Sequence, residues 1–165
     1  MMDLELPAGY SARAVNDSDA TGLIRLIDSC FSEYEGVFLE PDGIDDDLQA
    51  YATSIAGLNG EALVIEDETG IVAVVSVAPI EGTRYQLKRI YLAASLRGTG
   101  IGLTLLHYAE ARALAHGAKT MELWSDTRFT RAHSFYAREG YVKQAETRDL
   151  HDSSNTTEYL FIKPL

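Results

Sequence analysis

LKRIYLAASLRGTGIG, residues Leu87 to Gly102, is the stretch on which the reading of the fold turns. A strand over Gln86–Leu92 runs into a short loop, then a glycine-rich turn, then a long helix. The helix is expected from about Thr99 to His116, closed by Gly117. Gly98, Gly100 and Gly102 carry no Cβ, so an oxygen-rich group can come close to the main chain. The first amides of a helix point outward without partners, and the helix dipole adds positive potential there. Such a turn suits phosphate or pyrophosphate, and Arg97 adds a fixed positive charge at its edge. The same glycines also suit close helix–strand packing, and the turn alone leaves both readings open. Two other phosphate motifs fail. A P-loop needs Lys-Ser/Thr after its last glycine, where this chain has Leu103-Thr104. A dinucleotide fingerprint needs its first glycine directly after a strand that opens a βαβ unit.

Outward from this stretch, the pattern is an alternation of elements. Tyr10–Val15 reads as a first strand. Asn16 and Asp17 offer caps to a helix whose apolar residues, Leu23, Leu26, Ile27, Cys30, Phe31 and Tyr34, recur at spacings of three and four. A shorter helix fits Asp45–Ile55, ended by Gly57. Ala62–Glu66 and Ile71–Ala78 are β-rich runs joined by the hairpin signal Asp67-Glu68-Thr69-Gly70. Beyond the long helix come a strand at Thr120–Trp124, a helix at Thr130–Glu139, and two strands, Tyr141–Arg148 and Thr157–Lys163. The order β-α-α-β-β-β-α-β-α-β-β predicts a mixed α/β domain on one central sheet, with no repeat or linker across residues 1–165.

At 165 residues and 46% hydrophobic, the chain is sized and composed for one folded domain. Its longest apolar run, Ile71–Ile80, is too short to span a bilayer. The start, MMDLELPAGY, has neither the basic nor the apolar part of a secretory signal. Cys30 is alone, so no disulfide within the chain and no cysteine-based metal site can form, and a reducing cytoplasmic compartment is expected. A net charge of −11 argues against nucleic acid as a partner. That charge is unevenly spread. Residues 1–70 hold 16 acidic and 2 basic side chains, net −14; residues 71–165 hold 9 and 12, net +3.

The run Arg97-Gly98-Thr99-Gly100-Ile101-Gly102 matches every fixed position of Arg/Gln-x-x-Gly-x-Gly/Ala, and Ala132-His133-Ser134-Phe135-Tyr136-Ala137-Arg138-Glu139-Gly140-Tyr141 matches Ala-x-x-x-Tyr-x-x-x-Gly-Phe/Tyr. With these two motifs at their usual separation, the sequence resembles the GNAT superfamily of N-acetyltransferases along nearly its whole length. The resemblance implies a GNAT-like fold: a mixed central sheet, flanked by helices, whose fourth and fifth strands are parallel but splay apart. It implies acetyl-CoA as co-substrate, its pyrophosphate on Arg97–Gly102 and Leu103. The pantetheine arm would pair with the backbone of Ile90, Tyr91 and Leu92. No metal is implied, and homodimers are common in the family.

Tyr136 matches the tyrosine that protonates the leaving thiolate in many relatives, and the N–H of Leu92 would polarise the acyl oxygen. Two positions depart from the family. Phe129 stands where many members have Asn, leaving Asp126 and Thr127 as nearby polar groups; Gln86 stands where many have a glutamate base. The base is therefore expected elsewhere, with Glu122 on the fifth strand as the first candidate. Glu33, Tyr34 and Glu35 are expected beside the acceptor. Since the acidic half supplies the acceptor side, a small cationic primary amine is the expected substrate. Two alternatives stand beside this one: a CoA-binding sensor without catalysis, and an acetyltransferase of protein N-termini or lysines.

Overall fold

In the computed structural model, which describes residues 4–165, alternation along one central strand decides the layering. Leu63 and Ile65 point to one face of the sheet, while Ala62 and Val64 point to the other. The strands are β1 (Ser11–Ala14), β2 (Glu61–Asp67), β3 (Gly70–Pro79), β4 (Arg84–Leu92), β5 (Thr120–Asp126), β6 (Val142–Asp149) and β7 (Thr157–Pro164). They form one sheet in the order β1-β2-β3-β4-β5-β7-β6, in which only β4 and β5 run parallel. Helices α1 (Ala20–Phe31) and α2 (Tyr51–Gly57) cover one face through Leu23, Ile27, Tyr51 and Ile55. Helix α3 (Ile101–Ala115) covers the other through Leu105, Leu106 and Ala109, and α4 (Thr130–Arg138) lies beyond β5. The expected splayed α/β sheet is present.

Local chemistry explains the element ends. Asn16 and Asp19 form a reciprocal capping box ahead of α1, with the Asn16 N–H donating to Asp19 at 2.7 Å. The helix expected over Asp45–Ile55 is instead a 3₁₀ turn, Asp46–Ala50, followed by α2. Its carboxylates are engaged elsewhere: Asp45 accepts from the Glu40 N–H at 3.0 Å, and Arg89 of β4 reaches Asp47 at 2.8 Å. Such bonds compete with a regular helical turn.

The feature that shapes the molecule is the join between β4 and β5. They pair over only Arg84–Gln86 and Thr120–Glu122. Just beyond, the β3–β4 register jumps: Val77 faces Leu87 and Ser76 faces Arg89, so Lys88 is an extra residue. A bulge bends its strand and increases its twist. From Lys88 onward, β4 turns away from β5 and a gap opens through the sheet.

Candidate active site

Backbone parity sets what faces the gap. The Ala93 N–H donates to Val72 of the β3 side at 2.8 Å. Peptide groups alternate along a strand, so those of Ile90 and Leu92 point the other way, into the gap. The Cys30 thiol confirms the direction by donating to the Leu92 carbonyl at 3.2 Å. The gap is a cavity of about 610 Å³. One end is the glycine turn, where Gly98 (φ 79°) and Gly100 (φ 83°) adopt the left-handed conformation that admits glycine most readily. A Cβ at either would meet no protein atom within 4 Å, so the space over the turn is open. The amides of Gly98, Gly100, Gly102 and Leu103 donate to no backbone carbonyl among the described residues. Unspent N–H groups at a helix start, with Arg97 beside them, form an anion cradle.

The expected residues distribute as follows. Ile90, Tyr91, Leu92, Arg97, Gly98, Gly100, Gly102, Leu103 and Tyr136 all line the gap. Thr99 and Ile101 do not. The Thr99 hydroxyl donates to the Leu96 carbonyl at 2.6 Å, and Ile101 is buried in the core. Glu33 and Tyr34 also line the gap, Glu33 beside Arg97 and Tyr34 against Phe129 where the two cavities meet. The Glu33 carboxylate is held by Arg97 and lies 3.5 Å from Arg131. Glu35 lines neither cavity. Glu122 is buried, lines neither cavity, and is held by Arg84. Cys30 packs against the α1–α2 core, as its place on the apolar side of the helix predicts, and also borders the gap; burial and then Glu33 push its thiol up to about 11. At neutral pH it is a protonated, poorly nucleophilic thiol.

Tyr136 lines the gap. Its ring packs against Phe135, Tyr141 and Phe161 at 5.7–5.9 Å between centroids. Its hydroxyl has no hydrogen-bond partner, yet no buried side-chain polar atom is left unpaired among the described residues. The hydroxyl therefore looks into the open gap. Burial, then the neighbouring Tyr91 phenol, hold its proton well above the usual tyrosine range.

A second cavity, of about 430 Å³, opens on the α1–α2 face and meets the gap at Lys88, Tyr91, Trp124, Asp126, Phe129 and Glu158. Gln86 lies here, its side-chain oxygen accepting from Lys88 at 2.9 Å. The Phe129 ring packs against that of Tyr34, tilted by 44° with 4.8 Å between centroids. Asp126 is held by Arg128 through both oxygens, at 2.9 and 2.8 Å. Glu158, which the sequence reading missed, accepts from Arg148 at 2.7 Å through one oxygen and leaves the other unshared. Arg148 lies over the Trp124 ring at 4.4 Å. The signal for this pair was the cross-strand register of the last hairpin, which places Arg148 opposite Glu158.

Comparison with known proteins now bears on this geometry. The model of the acetyltransferase (GNAT) domain matches residues 59–143, more than half of the chain. The chain belongs to the GNAT acetyltransferase family. No curated protein matches the sequence significantly. The GNAT fold itself recurs in solved structures of low identity. An acetyltransferase from Streptococcus agalactiae is 16% identical with a TM-score of 0.82, over 96% of this chain and 100% of that one. The PaiA N-acetyltransferase from Thermoplasma acidophilum, in complex with coenzyme A, is 19% identical with a TM-score of 0.68, over 94% and 99%. The YncA acetyltransferase of Salmonella typhimurium, with acetyl-CoA, is 12% identical with a TM-score of 0.70, over 95% and 94%. Among the described residues, no helix is long and apolar enough to cross a membrane.

Proposed function

We propose that this GNAT protein transfers an acetyl group from acetyl-CoA directly to a primary amine. The observation that carries the reading is the unpartnered Tyr136 hydroxyl in the gap between β4 and β5. The residues fit the co-substrate. The glycine cradle and Arg97 suit its pyrophosphate, and the inward-facing peptide groups of Ile90 and Leu92 suit an arm rich in amides. The bound thioester supplies the activated acyl group.

The chain's own groups then divide the work. The Leu92 N–H donates to the acyl oxygen where negative charge develops. Glu158, with one unshared carboxylate oxygen at the junction of the cavities, takes the proton that the amine must lose. Glu122, expected in that role, is enclosed by Arg84. The amine nitrogen bonds to the acyl carbon, the carbon–sulfur bond breaks, and Tyr136 hands its proton to the sulfur. The protonated Cys30 leaves a direct route in preference to an acyl-cysteine.

Incubation with acetyl-CoA and a panel of primary amines is expected to release free thiol in proportion to acetylated amine. Failure to bind CoA by calorimetry overturns the reading. Tight CoA binding without turnover of any amine favours a sensor instead.

Glu33 gives a separate prediction. Its carboxylate holds Arg97 and approaches Arg131 on the cradle side of the gap, so it competes with an incoming polyanion. Glu33→Gln is expected to tighten CoA binding about two- to fivefold, the scale of an exposed ion pair. Calorimetric titration checks this; unchanged or weaker binding counts against it.

A further inference from the structure

The walls of the α1–α2 cavity carry both signs of charge, and their pairing is uneven. Every carboxylate is engaged: Asp45 and Asp47 by Arg89, Asp126 by Arg128, Glu158 by Arg148, and Asp152 by the amide and hydroxyl of Thr156. Lys88 is the wall cation without a carboxylate partner among the described residues; its ammonium reaches only the neutral Gln86. Arg148 commits Nε to Glu158, and its two terminal nitrogens make no hydrogen bond among the described residues. Lys88 stands on the bulge, where both cavities meet. The mouth is different in character. Phe38, Ile44 and Leu58 line it with 60, 45 and 49% of their surface exposed.

We infer that the acceptor is an amine carrying a carboxylate and an apolar body, of the class of apolar α-amino acids, with its carboxylate bound by Lys88 and Arg148 and its apolar part against Phe38, Ile44 and Leu58. The inference rests on the acyl-transfer reading and replaces the cationic acceptor expected from the acidic half, whose acids here already have partners. A bound anion would neutralise charges that now oppose one another: after burial, Arg148 is the largest influence holding the Lys88 ammonium below the usual lysine range. The unspent donors on Lys88 and Arg148 match the acceptor-only chemistry of a carboxylate.

Matched acceptors test it. With acetyl-CoA, leucine is expected to exceed leucinamide and spermidine in kcat/KM by about 10- to 100-fold, the scale of charge-assisted hydrogen bonds. Lys88→Gln should bring the leucine-to-leucinamide ratio to within about threefold of one, and Lys88→Arg should restore most of it. A preference for spermidine or leucinamide, or a ratio that Lys88→Gln does not move, overturns the inference. A second readout needs no turnover. Trp124 is the single tryptophan and lines both cavities. Its fluorescence in the CoA complex should report N-acetylleucine binding more tightly than N-acetylleucinamide, with the difference lost in Lys88→Gln. Equal binding of the two overturns the inference. Selective product binding with no turnover of any amine overturns the acyl-transfer reading, and the acceptor role with it, while leaving Lys88 and Arg148 as a carboxylate-binding site.

Discussion

Tyr136→Phe is expected to lower kcat by about a hundredfold while leaving the KM for acetyl-CoA within about twofold. The change removes one oxygen and keeps the ring, so the packing against Phe135, Tyr141 and Phe161 is preserved. The hydroxyl has no protein partner to lose. Thermal stability should therefore stay close to that of the parent, and the loss should fall on the chemical step. The pH profile sharpens the test. Burial and Tyr91 raise the Tyr136 pKa, so the phenol stays protonated through the neutral and mildly alkaline range. Activity should not fall between pH 7 and about pH 9 through ionisation of this group. Unchanged turnover in the variant would remove Tyr136 from the chemistry.

The second large effect is on stability. Gly60→Ala is expected to cost about 3 kcal/mol and to lower Tm by roughly 6–12 °C. Gly60 leads from α2 into β2, and a Cβ there would stand 2.6 Å from the Val77 carbonyl oxygen and 2.7 Å from the Ala78 Cβ. Val77 is itself paired with Glu61 in the β2–β3 ladder, so neither neighbour can retreat without breaking register. Gly57 is the control. It ends α2, and a Cβ there meets nothing within 4 Å. Gly57→Ala should be neutral or stabilising by up to about 1 kcal/mol. Thermal melts followed by circular dichroism compare the two.

The element order was legible because each element carries its own local signal. The cap at Asn16, the hairpin residues Asp67–Gly70 and the glycines of the cradle all act over a few positions, although the capping partner is Asp19 and not the expected Asp17. Residues whose roles depend on distant partners were not legible. Glu122 looked available on its strand, but its fate depends on Arg84, 38 positions away. Glu33 was legible as an acid at the end of the first helix, but its ion pair with Arg97, 64 positions on, was not. Lys88 read as an ordinary strand residue, since a bulge belongs to the register between two strands rather than to either one. Glu158 and Arg148 gave a weak signal that only the hairpin register makes clear.

The incomplete join between β4 and β5 also bears on how the molecule opens. On the α3 face the core is continuous across it, since Met121, Leu123 and Phe161 pack in one cluster with Val75, Leu87 and Leu105. On the α1–α2 face the apolar cluster stops at β4 and its flanking loop. The sheet is thus sutured on one side and parted on the other, with three residue pairs as the backbone stitch. The strands before and after that seam are suited to behave as two cooperative units, each able to loosen while the other holds. A ligand seated along the seam would fasten them together, so that binding and folding cooperativity become one property of the same line of backbone.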